Sequence, residues 1–213
     1  MRSLPRSGVT YLVTQESLSE GRTTLEIAAA AIRGGVDVIQ LREKDRCARD
    51  RYQLGLRLRE QTADAGVTFI VNDRVDLARA VDADGVHLGD EDLPIAVARE
   101  QLGDTALVGR SVSTRKEATQ AEKAGADYLG VGSVFHTGSK DTDPDKTAIG
   151  LDRISDVRAS TSLPIIGIGG IDPSNAADVV SAGANGVAVI SAITAADDPE
   201  RATEQLSDAI EEG

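Results

Sequence analysis

The residues of this 213-residue chain best equipped for chemistry are carboxylates, cations and hydroxyls that recur just after short apolar runs. Arg42-Glu43-Lys44 follows one such run, Asn72-Asp73 a second, Asp92 a third, and Arg110-Ser111 sits near the end of a fourth. Asp73 and Asp92 supply hard oxygen ligands, suited to a Mg2+ ion that keeps several waters and completes its shell with phosphates. Arg42, Lys44 and Lys140 suit a polyanion such as a pyrophosphate, which Arg42 can grip with two parallel bonds. Asn72 offers an amide and Ser111 a hydroxyl for orientation. Gly169-Gly170 and Ile190-Ser191 have the character of a paired phosphate cradle at the ends of two late strands. Two anion sites beside a metal site imply two phosphorylated substrates, one of them a diphosphate.

Each of these signals has a plainer reading. A run such as Arg42-Glu43-Lys44 is often a solvated charge cluster, Asp90-Glu91-Asp92 is commonplace in an acidic chain, and a Gly-x-Gly-Gly run is usually a turn. What favours chemistry is that all fall at the same end of successive strands. No covalent route stands out. The single cysteine, Cys47, lies in an Arg-rich stretch at a helix start and reads as an incidental thiol. One cysteine also excludes an internal disulfide and a cysteine-cluster metal site. His87 reads as a satisfied polar residue at or inside the rim, and His136 as a solvated loop histidine.

The elements that must position these groups alternate from end to end. Short β-branched runs (Val9–Val13, Val36–Arg42, Val67–Val71, Gly85–Gly89, Ala106–Val112, Asp127–Gly132, Pro164–Gly170 and Gly186–Ser191) are separated by amphipathic helical stretches. Four junctions share a glycine stop, a small turn and an acid or amide: Gly34-Gly35-Val36-Asp37, Val81 to Gly85, Gly125-Ala126-Asp127 and Gly183-Ala184-Asn185. Eight strand–helix units at this length predict one α/β domain over residues 1–213, a closed (β/α)8 TIM barrel. An open doubly wound sheet would carry a glycine fingerprint after its first strand, where Thr14-Gln15-Glu16-Ser17 stands instead. In such a barrel ligands bind at the C-terminal ends of the strands. The long connection from Ser133 to Gly150 reads as a lid over that end.

Composition excludes other classes. Acidic residues outnumber basic ones 35 to 23, for a net charge of −12, and aromatics are only 2 %. That balance opposes nucleic acid and anionic membranes, and it removes stacking platforms for bases. No run approaches a membrane span and no signal peptide is recognisable, so a cytoplasmic protein is expected. Among the charges, 22 Asp stand against 13 Glu and 18 Arg against 5 Lys. Asp excess with scarce Lys reads as adaptation to concentrated salt, where self-repulsion is screened. The partners expected are small molecules, and a homo-oligomer is compatible with the chain.

Taken in order, Gln40-Leu41-Arg42-Glu43-Lys44, Val71-Asn72-Asp73, Gly85 to Asp92, Ala126 to Gly132 and Pro164 to Ile171 resemble the thiamine phosphate synthase family over nearly the whole chain. The resemblance implies a Mg2+-dependent transferase of thiamine biosynthesis. It would join hydroxymethylpyrimidine diphosphate to a thiazole phosphate through a pyrimidine cation, giving thiamine phosphate and pyrophosphate. It further implies that Gln40, Leu41, Arg42, Glu43, Lys44, Asn72, Ser111 and Lys140 bind the pyrimidine diphosphate. Arg42, Lys44, Ser111 and Lys140 would be the catalytic group among these. Thr137, Gly138, Ser139, Gly170, Ile190 and Ser191 would hold the thiazole phosphate, and Asp73 and Asp92 the metal. Two positions depart from the family's usual pattern: Asp90 stands where Gln is common, and His136 where Pro is common. The nearest alternative is a thiazole tautomerase, which should not need the diphosphate-and-metal set. A non-catalytic phosphate-binding relative should have lost at least one of its charged members.

Overall fold

In a computed structural model that describes residue 4, residues 7–137 and residues 150–213, eight parallel strands close into a barrel in the order β1 to β8. The strands are β1 Val9–Val13, β2 Val38–Leu41, β3 Thr68–Asn72, β4 Gly85–Leu88, β5 Leu107–Val112, β6 Tyr128–Gly132, β7 Ile165–Ile168 and β8 Gly186–Val189. Helices α1 Thr24–Arg33, α2 Ala48–Ala65, α3 Val75–Ala80, α4 Ile95–Leu102, α5 Arg115–Lys123, α6 Gly150–Arg158 and α7 Ala176–Ser181 separate them. A short α8 (Ser191–Thr194) and α9 (Pro199–Glu211) follow β8. This is the expected (β/α)8 architecture. Among the described residues no helix is long and apolar enough to cross a membrane.

Local chemistry sets the boundaries. Thr23 accepts from the Glu26 backbone N–H while Glu26 reaches back to Thr23, a capping box that starts α1. Gly66, at φ 72°, stops α2 in the left-handed conformation that glycine adopts without a Cβ clash. Most strands are trimmed relative to their apolar runs, and β7 and β8 each end two residues early. β7 ends at Ile168, because Gly169 (φ 106°) and Gly170 (φ 64°) turn the chain. β8 ends at Val189, and Ser191 opens α8 instead of extending the strand.

Two apolar layers result. One fills the space between strands and helices, with Leu12, Ile39, Leu41, Phe69 and Leu129 fully buried. The other fills the lower barrel with Leu4, Val9, Val38, Ile70, Leu107 and Ile166.

The four repeated junctions form four equivalent brackets. Asp37 Oδ2 accepts from Thr10 N–H at 2.8 Å, Asp84 Oδ2 from Phe69 N–H at 2.9 Å, Asp127 Oδ2 from Val108 N–H at 2.7 Å and Asn185 Oδ1 from Ile165 N–H at 2.9 Å. Each bracket residue returns its own N–H to the carbonyl of the same partner. Every even strand is thereby clamped to the odd strand before it. Three brackets add an arginine from the even helix that precedes the odd strand: Arg59 of α2 to Asp84, Arg99 of α4 to Asp127 and Arg158 of α6 to Asn185. Asp37 has burial as its main influence, which raises its pKa despite the Thr10 N–H. Asp84→Ala should lower the unfolding free energy by about 3 kcal/mol, since it strands both Phe69 N–H and Arg59 in a buried setting. Asp84→Asn should lose less, because its amide oxygen still accepts from Phe69. Denaturant midpoints at unchanged m-value check this, and an alanine variant as stable as the parent would refute the bracket.

Candidate active site

A cavity of about 210 Å3 opens at the C-terminal ends of the strands. Its walls carry Gln40, Arg42, Lys44, Asn72, Asp73 and Ser111, and its floor Tyr11, His87 and Tyr128. The period-two alternation of β2 and its extension sorts the 40–44 segment. Gln40, Arg42 and Lys44 line the cavity. Leu41 turns outward into the layer between strands and helices. Glu43 also turns away: its carboxylate accepts from Glu16 N–H at 3.0 Å and from Thr24 Oγ1 at 2.9 Å. The side chains of Leu41 and Glu43 are thus not among the groups brought to the cavity, which departs from the expectation for the whole pentapeptide.

That same bracing holds Arg42. Its backbone N–H donates to Thr14 Oγ1 at 3.2 Å, and its Nη1 donates to Gln15 Oε1 at 2.7 Å. Glu43 secures the segment after Gln15 by accepting from Glu16 N–H. The guanidinium therefore stands over the cavity in a fixed attitude, with its remaining donors available in a planar fork.

Asp73 occupies the turn directly after β3 at φ 63°, a left-handed conformation that Asp tolerates better than most residues. Its N–H donates to the His87 carbonyl at 2.8 Å, tying the turn to β4. Its pKa is raised, first by burial and then by a hydrogen bond to Asp92 and by the charge of Asp92. Lys44, with Nζ 3.6 Å from Asp73 Oδ2, and Arg42 offset this in part. Asp92 lies in the adjoining depressions and accepts from Gly89 N–H at 2.6 Å.

Two carboxyls that crowd one another are a donor set whose repulsion a divalent cation would cancel. Among the described residues no group of three or more His, Cys, Asp or Glu could hold a metal. Two carboxylates alone fit Mg2+ better than a cation needing an all-protein cage, because Mg2+ retains waters and phosphate oxygens.

A smaller pocket lies beside the main cavity and shares Ile168 and Ala188 with it. It brings together Thr137, Gly170, Ile190 and Ser191, four of the residues expected to hold a thiazole phosphate. Glycine at 170 is sterically required, since a Cβ there would stand 2.4 Å from the His136 carbonyl oxygen. The remaining expected residues, Gly138, Ser139 and Lys140, lie outside the described residues, as do residues 138–149 of the expected lid from Ser133 to Gly150. Cys47 is exposed at the start of α2, and His136 is exposed. Asp90 pairs with Arg110 at 3.1 Å on the rim.

Sequence reasoning missed Tyr11, Tyr128 and Gln15, whereas His87 is the satisfied polar residue expected at the rim, bonded to Tyr128 and Ser111. One signal was present: glycines inside strands mark close approaches. A Cβ on Gly109 would stand 2.5 Å from Tyr128 Oη and 2.6 Å from His87 Nδ1, and one on Gly130 would stand 2.9 Å from His87 Cε1. These two glycines make the room in which the Tyr128–His87 pair sits.

A closed barrel with a cation-and-carboxylate cavity at the C-terminal ends of its strands has the layout of a barrel enzyme. The chain belongs to the thiamine monophosphate synthase family, whose sequence profile matches residues 10–193. It is 67 % identical over 201 residues to the thiamine-phosphate synthase of Natronomonas pharaonis, covering 94 % of each chain. It is 62 % identical over 204 residues to that of Haloarcula marismortui, covering 95 % of this chain and 97 % of the relative. Among solved structures, thiamine phosphate pyrophosphorylase from Pyrococcus furiosus superposes with a TM-score of 0.87 at 42 % identity, covering 97 % of this chain and 98 % of the other.

Proposed function

We propose that this chain is a thiamine-phosphate synthase that joins a hydroxymethylpyrimidine diphosphate to a thiazole phosphate and releases pyrophosphate. The observation that carries the reading is the convergence of Arg42, Lys44 and Asp73 on one cavity wall, next to a separate pocket of phosphate-cradle type. The reaction breaks the CH2–O bond of the diphosphate, whose electron pair leaves with pyrophosphate. The electron-rich aminopyrimidine stabilises the carbon cation left behind. The thiazole nitrogen then gives its lone pair to that carbon, forming the C–N bond. No protein nucleophile is required.

This chain's residues supply binding and charge. Arg42 and Lys44 hold the diphosphate and stabilise the charge that grows on it during departure. Asn72 orients the pyrimidine end, while Thr137, Gly170, Ile190 and Ser191 seat the thiazole phosphate. Asp73 and Asp92 would hold Mg2+, which when bound would supply further positive charge for the leaving diphosphate. Incubating both substrates with the purified chain, with and without Mg2+, tests the reading. Thiamine phosphate and pyrophosphate should form in equal amounts and only with the metal. A thiazole phosphate that isomerises without being joined would replace this function with a tautomerase.

We also propose that the folded state requires screening by salt. The support is the charge of −12 and the excess of Asp over Glu and of Arg over Lys. The thermal midpoint should rise as KCl is raised from dilute buffer toward molar concentration. A midpoint that stays flat or falls over that range would refute the adaptation and leave the enzymatic reading intact.

A further inference from the structure

Five polar groups cross the cavity in one hydrogen-bonded file. Gln40 Nε2 donates to Tyr11 Oη at 2.7 Å. Tyr11 Oη and Tyr128 Oη are 3.1 Å apart, Tyr128 Oη and His87 Nδ1 are 3.1 Å apart, and His87 Nε2 and Ser111 Oγ are 3.0 Å apart. Both ends of the file are cavity-lining residues.

Donor counting fixes its direction. An amide nitrogen can only donate, so Tyr11 accepts from Gln40 and has its single proton left for Tyr128. Tyr128 then gives its own proton to His87 Nδ1. A neutral imidazole that accepts at Nδ1 carries its hydrogen on Nε2, and that hydrogen points at Ser111. Ser111 accepts from His87 and keeps its own proton for whatever fills the cavity. Ionisation of the phenols does not break the sequence, because burial raises the pKa of both above the ordinary tyrosine value.

We infer that Gln40 sets the direction of this file, so that Ser111 is held as an obligate hydrogen-bond donor to the bound ligand, with Tyr11, Tyr128 and His87 as positioning residues. The inference excludes a tempting alternative. A serine 3.0 Å from a histidine has the spacing of a nucleophile and its general base. Here the facing nitrogen already carries a proton and cannot take another from Ser111. The ligand group at Ser111 is therefore an acceptor, a phosphoryl oxygen or a ring nitrogen. That it belongs to a pyrimidine diphosphate rests on the function proposed above; the direction of the file does not.

The test is the tautomer of His87, read by 15N NMR. The chain has only two histidines, and a His136→Gln background leaves His87 alone in the spectrum. The expected spectrum shows Nε2 protonated and Nδ1 bare. Gln40→Glu, recorded above neutral pH, places a carboxylate where the amide donated. It should accept from Tyr11, reverse each bond in turn and move the histidine proton to Nδ1. A parent protein with the proton on Nδ1, or a Gln40→Glu protein whose tautomer is unchanged, would overturn the inference. If Gln40→Glu does not fold, the parent spectrum alone still decides the direction. Failure to make thiamine phosphate would sink the proposed function without touching this readout, so the two can fail separately.

Discussion

Asp73→Asn should lower turnover by about 10²–10³-fold while leaving the folded barrel intact. The exchange is nearly isosteric, and Asn tolerates the left-handed backbone at this turn as well as Asp does. It removes one of two carboxyls that crowd each other, so the apo protein loses a repulsion with Asp92. Stability should hold or rise slightly as activity falls. What disappears is half of the carboxylate set that would hold Mg2+ against the departing diphosphate. Steady-state rates across a Mg2+ titration, beside a thermal melt, check the claim. A variant with the parent rate and the parent Mg2+ dependence would remove Asp73 from the metal site.

Arg42→Lys should cost about 10²-fold in turnover, although it keeps the charge. Lysine offers a point charge on a flexible stem, whereas Arg42 is a planar fork held by Gln15 at 2.7 Å. A shorter-reaching, unbraced ammonium would bind the diphosphate in its ground state yet follow the developing charge poorly. The loss should therefore fall mainly on kcat and less on KM. Equal kcat in the two proteins would show that charge alone suffices and that the Gln15–Arg42 contact is incidental.

Much of this architecture was legible because the barrel repeats itself. The junctions at Asp37, Asp84, Asp127 and Asn185 showed one pattern four times in the sequence, and each proved to clamp an even strand to its odd neighbour. The charged wall was legible because Arg42, Lys44 and Asp73 follow directly on strands, where the fold places ligands. The sense of each side chain within the 40–44 segment was harder. The resemblance implies that Glu43 binds substrate, but strand alternation sends its side chain outward to Glu16 and Thr24. The floor was the least legible part. Tyr11 lies in β1 and Tyr128 at the start of β6, so both read as core residues of buried strands. Only the approach of Tyr128 to Tyr11 and, in the room left by Gly109 and Gly130, to His87 turns them into a polar file. The ends of β7 and β8 were overextended because apolar runs there continue past the last ladder bonds into Gly169 and α8.

The central claim is that the cavity works by helping pyrophosphate leave an electron-rich ring. The most direct measurement compares single-turnover rates for the pyrimidine diphosphate and for an analogue with an electron-withdrawing ring substituent. The rate for the analogue should fall by at least about 10²-fold, equivalent to ~2.7 kcal/mol less stabilisation of the developing cation. Rates that stay equal would contradict the claim, because a carbon attacked while its leaving group is still bound would not feel the loss.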